Sequence, residues 1–147
     1  MNLIINKNFK KSILITGGSG YIGSSLAMYL SKKYNVITLD KKDKNIFLDK
    51  KIIHCKINLN NSGKLKKLIR RINPFSVIHL SGQSTIDLAD KKKENYFQNN
   101  YNSTKILVNI LRELKISNFV FSSTAAVYDH SNKKFTEKSK LSSNNAY

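Results

Sequence analysis

Five short apolar runs constrain this chain more than anything else in it, because longer stretches with apolar residues three and four apart alternate with them. The runs are Ser12–Thr16, Asn35–Asp40, Ile52–Lys56, Ser76–Leu80 and Asn118–Ser122. The longer stretches predict helices at Tyr21–Lys32, Lys64–Arg71 and Glu94–Leu114. Leu65, Leu68, Ile69 and Ile72 mark one apolar face; Phe97, Tyr101, Thr104, Leu107, Val108 and Leu111 mark another. Strands alternating with helices imply right-handed crossovers, hence an α/β fold with a doubly wound parallel sheet covered on both faces. Pro74, the only proline, ends the helix before the fourth run. Lys41–Lys51 is a short crossover, with barely enough residues for a helical turn and its loops. A length of 147 residues is one domain.

Composition removes several classes. No run of about 18 apolar residues occurs, so no membrane span is expected. Leu3, Ile4 and Ile5 are too few for a signal-peptide core, and a cytoplasmic protein is expected. Cys55 is the single cysteine, which rules out an internal disulfide or a cysteine metal cluster. His79 and Cys55 sit in apolar runs without partners at ligand spacing, so core packing is expected of both and a metal of neither. The formal charge of +17 raises nucleic acid as a partner. The surplus is spread lysine, with arginine only at Arg70, Arg71 and Arg112, and this is not a phosphate-reading stripe. Nucleic-acid binding is therefore not expected, and Lys91-Lys92-Lys93 is read as a solvated turn. The charge does favour small anionic ligands.

The sharpest local feature is Thr16-Gly17-Gly18-Ser19-Gly20-Tyr21-Ile22-Gly23, placed between the first run and the first helix. Gly17 permits a tight turn out of the strand, Gly20 lets backbone approach a pyrophosphate, and Gly23 lets helix and strand pack closely. The helix N-terminus then offers N–H groups and a positive dipole end to phosphates. Asp40 closes the second run 20 residues after Gly20, where a carboxylate meets the adenosine ribose of a dinucleotide. That carboxylate favours NAD over NADP, although Lys41 and Lys42 beside it would tolerate a 2′-phosphate.

Three further segments complete a pattern: Val77-Ile78-His79-Leu80-Ser81-Gly82, Asn99-Asn100-Tyr101-Asn102-Ser103-Thr104, and Asn118 through Ser122-Ser123-Thr124-Ala125-Ala126-Val127-Tyr128. With the glycine loop, they resemble the extended short-chain dehydrogenase/reductase family, and within it the UDP-glucose 4-epimerase branch. The resemblance implies a Rossmann-type sheet cut off after its fifth strand, residues 1–147 being an incomplete NAD-binding domain without the substrate-binding half. It places Tyr21 and Ile22 at the pyrophosphate, Asp40 at the ribose, and Asn58 and Leu59 beside adenine. Leu80, Ser81, Gly82 and Gln83 would line the cofactor, and Asn99 would reach it from the long helix. Two positions depart from the family: Asn58 stands for an acid, and Ser84 stands where a lysine is common.

The resemblance also implies chemistry. A tyrosine phenolate takes the proton of the sugar 4-hydroxyl while C4 gives hydride to NAD, and the keto sugar turns over before hydride returns. Thr124 matches the hydroxyl that binds the reacting oxygen, and Tyr147 matches the base. The lysine that lowers the tyrosine pKa would fall at position 151. An ordinary tyrosine is ionised in roughly one molecule in a thousand at neutral pH. The expectation is thus an epimerase-like NAD binder for a UDP-sugar, inactive as this chain alone. A non-catalytic dinucleotide-binding remnant and a dehydratase or reductase relative are the alternatives. Family members are commonly homodimers. Here the apolar fifth strand, left as an edge, is expected to make the chain self-associate.

Overall fold

The β-branched and leucine side chains of the first two runs leave no polar face, which suits strands buried on both sides. They become β1, Ser12–Thr16, and β2, Asn35–Asp40, both almost wholly buried. The computed structural model describes residues 11–42, 51–84, 93–128, 134–142 and 147. Three shorter strands follow: β3, Ile53–Lys56; β4, Ser76–His79; and β5, Phe119–Phe121. All pair in parallel in the order β3-β2-β1-β4-β5, the doubly wound arrangement that the alternation predicts.

Helix α1, Tyr21–Leu30, covers one face through Ala27 against Ile13, Ile15 and Val36. Helix α2, Ser62–Ile72, covers the other. Its Asn61 side chain accepts the Lys64 N–H at 3.1 Å, and Asn73 closes it in the left-handed conformation just before Pro74. Leu65, Ile69 and Ile72 are buried and Leu68 partly so, as their spacing requires. On that same face lie Leu14, Ile37, Leu39 and Val77, together with Leu107, Ile110 and Leu111 of a further helix.

That further helix departs from expectation. It runs as α3, Lys93–Tyr96, then a π-helical segment, Phe97–Asn102, then α4, Ser103–Glu113. The wider π turn shifts the facing register. Tyr96 is fully buried, while Phe97, Tyr101 and Val108, which straight periodicity assigns to the apolar face, are 55%, 52% and 41% exposed. The edges of the elements move by one or two residues elsewhere, as expected where ladders and helices fray. Most of the short crossover after β2 and two of the three lysines at 91–93 lie outside the described residues; Lys93 opens α3. No described helix is long and apolar enough to cross a membrane.

Candidate functional site

The glycine loop forms the turn from β1 into α1. Gly17 has a φ of 71°, and a Cβ there would come within 2.8 Å of the Leu80 and Ser81 backbone. Only glycine lets the turn lie directly on the segment leaving β4. At Gly23 a Cβ would collide with the Gly17 carbonyl, so helix and turn also meet at backbone distance. The Gly17 N–H reaches the Leu39 carbonyl at 2.8 Å, which anchors the turn on β2. Gly20 caps α1 with no side-chain hydrogen bond, and Tyr21 and Ile22 are 90% and 62% exposed in its first turn.

Asp40, at the end of β2, ties these parts together. One carboxylate oxygen accepts the Ser19 N–H at 3.3 Å and the other the Lys42 N–H at 3.1 Å. Beside it is a cavity of about 350 Å³ lined by Lys41, Lys42, Ile57, Asn58, Leu59, Ser81, Gly82, Gln83, Ser84, Asn99 and Ser103. Six of the residues expected at the cofactor line it together: Asn58, Leu59, Ser81, Gly82, Gln83 and Asn99. Leu80 instead packs under α1 with the Ile15 cluster. The Lys41 ammonium donates to Asn99 Oδ1 across this cavity at 3.5 Å.

Asn99 and Asn100 sit in the π-helical segment and both engage Gln83. Asn99 Nδ2 donates to Gln83 Oε1 at 3.4 Å. Asn100 grips the Gln83 backbone, accepting its N–H at 2.7 Å and donating to its carbonyl at 3.1 Å. Sequence reasoning passed over Asn100, although an adjacent Asn pair on one helix was a visible signal.

His79 is buried, as its strand predicts, but it is not an inert packing residue. Its Nδ1 lies 2.5 Å from Thr16 Oγ1 and its Nε2 lies 2.8 Å from Thr104 Oγ1. The rings of Phe119 and Phe121 stack alongside, with centroids 6.2 and 5.7 Å away. Burial disfavours the imidazolium and pulls the His79 pKa down to about 4, so the ring is neutral at physiological pH. Cys55 is likewise buried, and burial pushes its thiol upward.

Thr124 and Tyr147 stand apart from the cavity lining. Thr124 caps the short 3₁₀ turn Ala125–Val127, accepting the Ala126 N–H at 3.1 Å. A hydroxyl that accepts there keeps its own proton for another oxygen. Tyr147 sets its ring edge-on against buried Tyr96, with centroids 6.4 Å apart. Asn145 and Ala146 lie outside the described residues.

The chain and its fold have known counterparts. Residues 13–147 match the model of the NAD dependent epimerase/dehydratase family. Over 131 residues the chain is 34% identical to dTDP-D-glucose 4,6-dehydratase of Dictyostelium discoideum, covering 82% of this chain and 30% of that protein. It is 30% identical over 127 residues to a UDP-glucose 4-epimerase of Schizosaccharomyces pombe, covering 80% of this chain and 36% of the relative. In three dimensions it matches the UDP-Glc/GlcNAc 4-epimerase of Campylobacter jejuni with a TM-score of 0.86 and 26% identity, over 93% of this chain and 44% of that one. The chain thus spans less than half the length of each of these relatives. With a family match over nearly its whole length, a five-stranded doubly wound sheet and a glycine turn seated on β4, the chain belongs to the NAD dependent epimerase/dehydratase family.

Proposed function

We propose that this chain holds NAD across the C-terminal ends of β1, β2 and β4, as the cofactor-binding part of a UDP-glucose 4-epimerase type of activity. The observation that carries this reading is the backbone-close packing of the Gly17 turn on Leu80 and Ser81, beside a polar cavity between β2 and the π-helical segment. A pyrophosphate needs backbone approach at a helix start, and Gly20 leaves the start of α1 without a side-chain cap. Asp40 supports NAD over its 2′-phosphorylated form, since its carboxylate would face the added charge. Asn58, Ser81, Gln83 and Asn99 would hold adenine and the inner part of the dinucleotide through neutral hydrogen-bonding groups. When bound, NAD supplies a reversible hydride acceptor.

On the substrate side, the Thr124 hydroxyl would donate to the reacting sugar oxygen and the Tyr147 phenol would move its proton. Epimerisation is favoured over dehydration by Ala125 and Ala126. Elimination of water needs an acid for the leaving hydroxyl and a base for the neighbouring carbon, and methyl side chains supply neither. A UDP-sugar is the substrate in this reading.

The site is tested by titrating the chain with NADH and following nicotinamide fluorescence. A saturable change, reversed by NAD⁺ more readily than by NADP⁺, is expected. A folded chain that gives no saturable change refutes the proposal.

A further inference from the structure

His79 closes a hydrogen-bonded circuit whose direction follows from the contacts. The Asn100 carbonyl can only accept, and it lies 2.5 Å from Thr104 Oγ1, so the single Thr104 proton points to it. Thr104 must then accept from His79 Nε2–H at 2.8 Å. In a neutral imidazole the other nitrogen is an acceptor, so the Thr16 hydroxyl donates to Nδ1. Thr16 Oγ1, its proton used, accepts the Ser81 N–H at 3.4 Å. The Ser81-Gly82-Gln83 backbone returns to the start, because Asn100 grips Gln83 with its side-chain amide. Each bond has one donor and one acceptor. A methyl group at any threonine position interrupts the ring.

We propose that His79 is a positioning residue for the cavity: through Thr16 on one side and Thr104 on the other, it sets Ser81–Gln83 and Asn99–Asn100 at a fixed separation. This rests on the reading of the cavity as a dinucleotide site. The imidazole bridges two elements that the strand pairing alone does not connect, namely β1 and α4. The segment leaving β4 and the Asn pair are thereby linked through a residue that does not itself line the cavity. Because the ring supplies one donor and one acceptor along a fixed axis, an apolar side chain of similar size would fill the space and lose the alignment.

The test uses the full chain. Nitrogen NMR of the imidazole should show His79 as the Nε2–H tautomer, and hydrogen exchange should show Ser81 and Gln83 amides protected. Thr16→Val keeps the shape and removes the hydroxyl. It should speed exchange at Ser81 and weaken NAD⁺ binding roughly tenfold, the effect of one aligned hydrogen bond. Thr16→Ser should restore both. Thr104→Val should act in the same direction from the other end. Ile37→Val, a core truncation outside the circuit, should lower stability and leave Ser81 exchange relative to global unfolding unchanged. An Nδ1–H tautomer, or wild-type loop protection in Thr16→Val, overturns the proposal whether or not the chain binds dinucleotide. The expected tautomer and protections in a chain that binds no dinucleotide would support the circuit and overturn the reading of the cavity alone.

Discussion

The end of β4 and the strand beside it, β5, are neighbours in one sheet yet are built very differently. At the end of β4, His79 is buried and hydrogen-bonded at both ring nitrogens, and the Gly17 turn lies on the following backbone. In β5, three residues long, Val120 is 56% and Phe121 52% exposed, and among the described residues only β4 pairs with the strand. A parallel sheet is stable where both faces are covered, and among the described residues that cover is thinnest at β5. The difference teaches that the end of the sheet where the candidate site lies is tied together by its own hydrogen bonds and close backbone packing. The edge carrying the approach to Thr124 leaves Val120 and Phe121 exposed among the described residues.

Truncation should separate the two regions most strongly. Leu14→Ala, in the fully buried centre, is expected to cost about 3 kcal/mol in urea unfolding. Val120→Ala should stay within roughly 0.5 kcal/mol. Comparable costs would erase the contrast.

Acid should expose the same asymmetry to a nearly equal extent. His79 has a pKa of about 4 in the fold against an ordinary 6.5, so the unfolded chain takes up a proton first as pH falls. The stabilisation is fully present above pH 6.5 and is lost progressively as pH falls to about 4, by on the order of 3 kcal/mol. Comparing urea unfolding of the wild type and His79→Asn across that window isolates the contribution from the carboxylates. Parallel pH profiles for the two proteins would show that His79 is not held neutral.

At β5 the expected effect is smaller and concerns association. An apolar strand with an open side and no charge within it invites pairing. Phe121→Ser should reduce self-association in analytical ultracentrifugation with little change in stability. A wild-type chain that stays monomeric at high concentration would show the edge to be harmless.

Much of this was legible in the sequence. The parallel, doubly wound sheet follows from period and crossover rules, and the glycine loop with Asp40 at its fixed distance points to one end of it. Regular helix periodicity failed at one place: the π-helical segment turned Phe97 and Tyr101 outward and brought Tyr96 in. A single inserted turn of different pitch leaves no mark in the apolar pattern, since aromatic residues occupy both registers. The circuit through His79 was equally hidden. Thr16 and His79 are 63 positions apart, and an apolar strand context makes a histidine look like packing. Asn58, Ser81, Gln83 and Asn99, far apart in sequence, line one cavity, and Lys41, just after β2, reaches Asn99 across it, a contact no local pattern announces.

The central claim, that the β1–β2–β4 end of the sheet is an NAD site read by Asp40, is tested most directly by calorimetric titration of the wild type and Asp40→Ala with NAD⁺ and NADP⁺. The account predicts one site per chain, tighter for NAD⁺, with the preference falling by about 1–3 kcal/mol in Asp40→Ala. Equal or tighter binding of NADP⁺ by the wild type, or an unchanged preference in the variant, would contradict it.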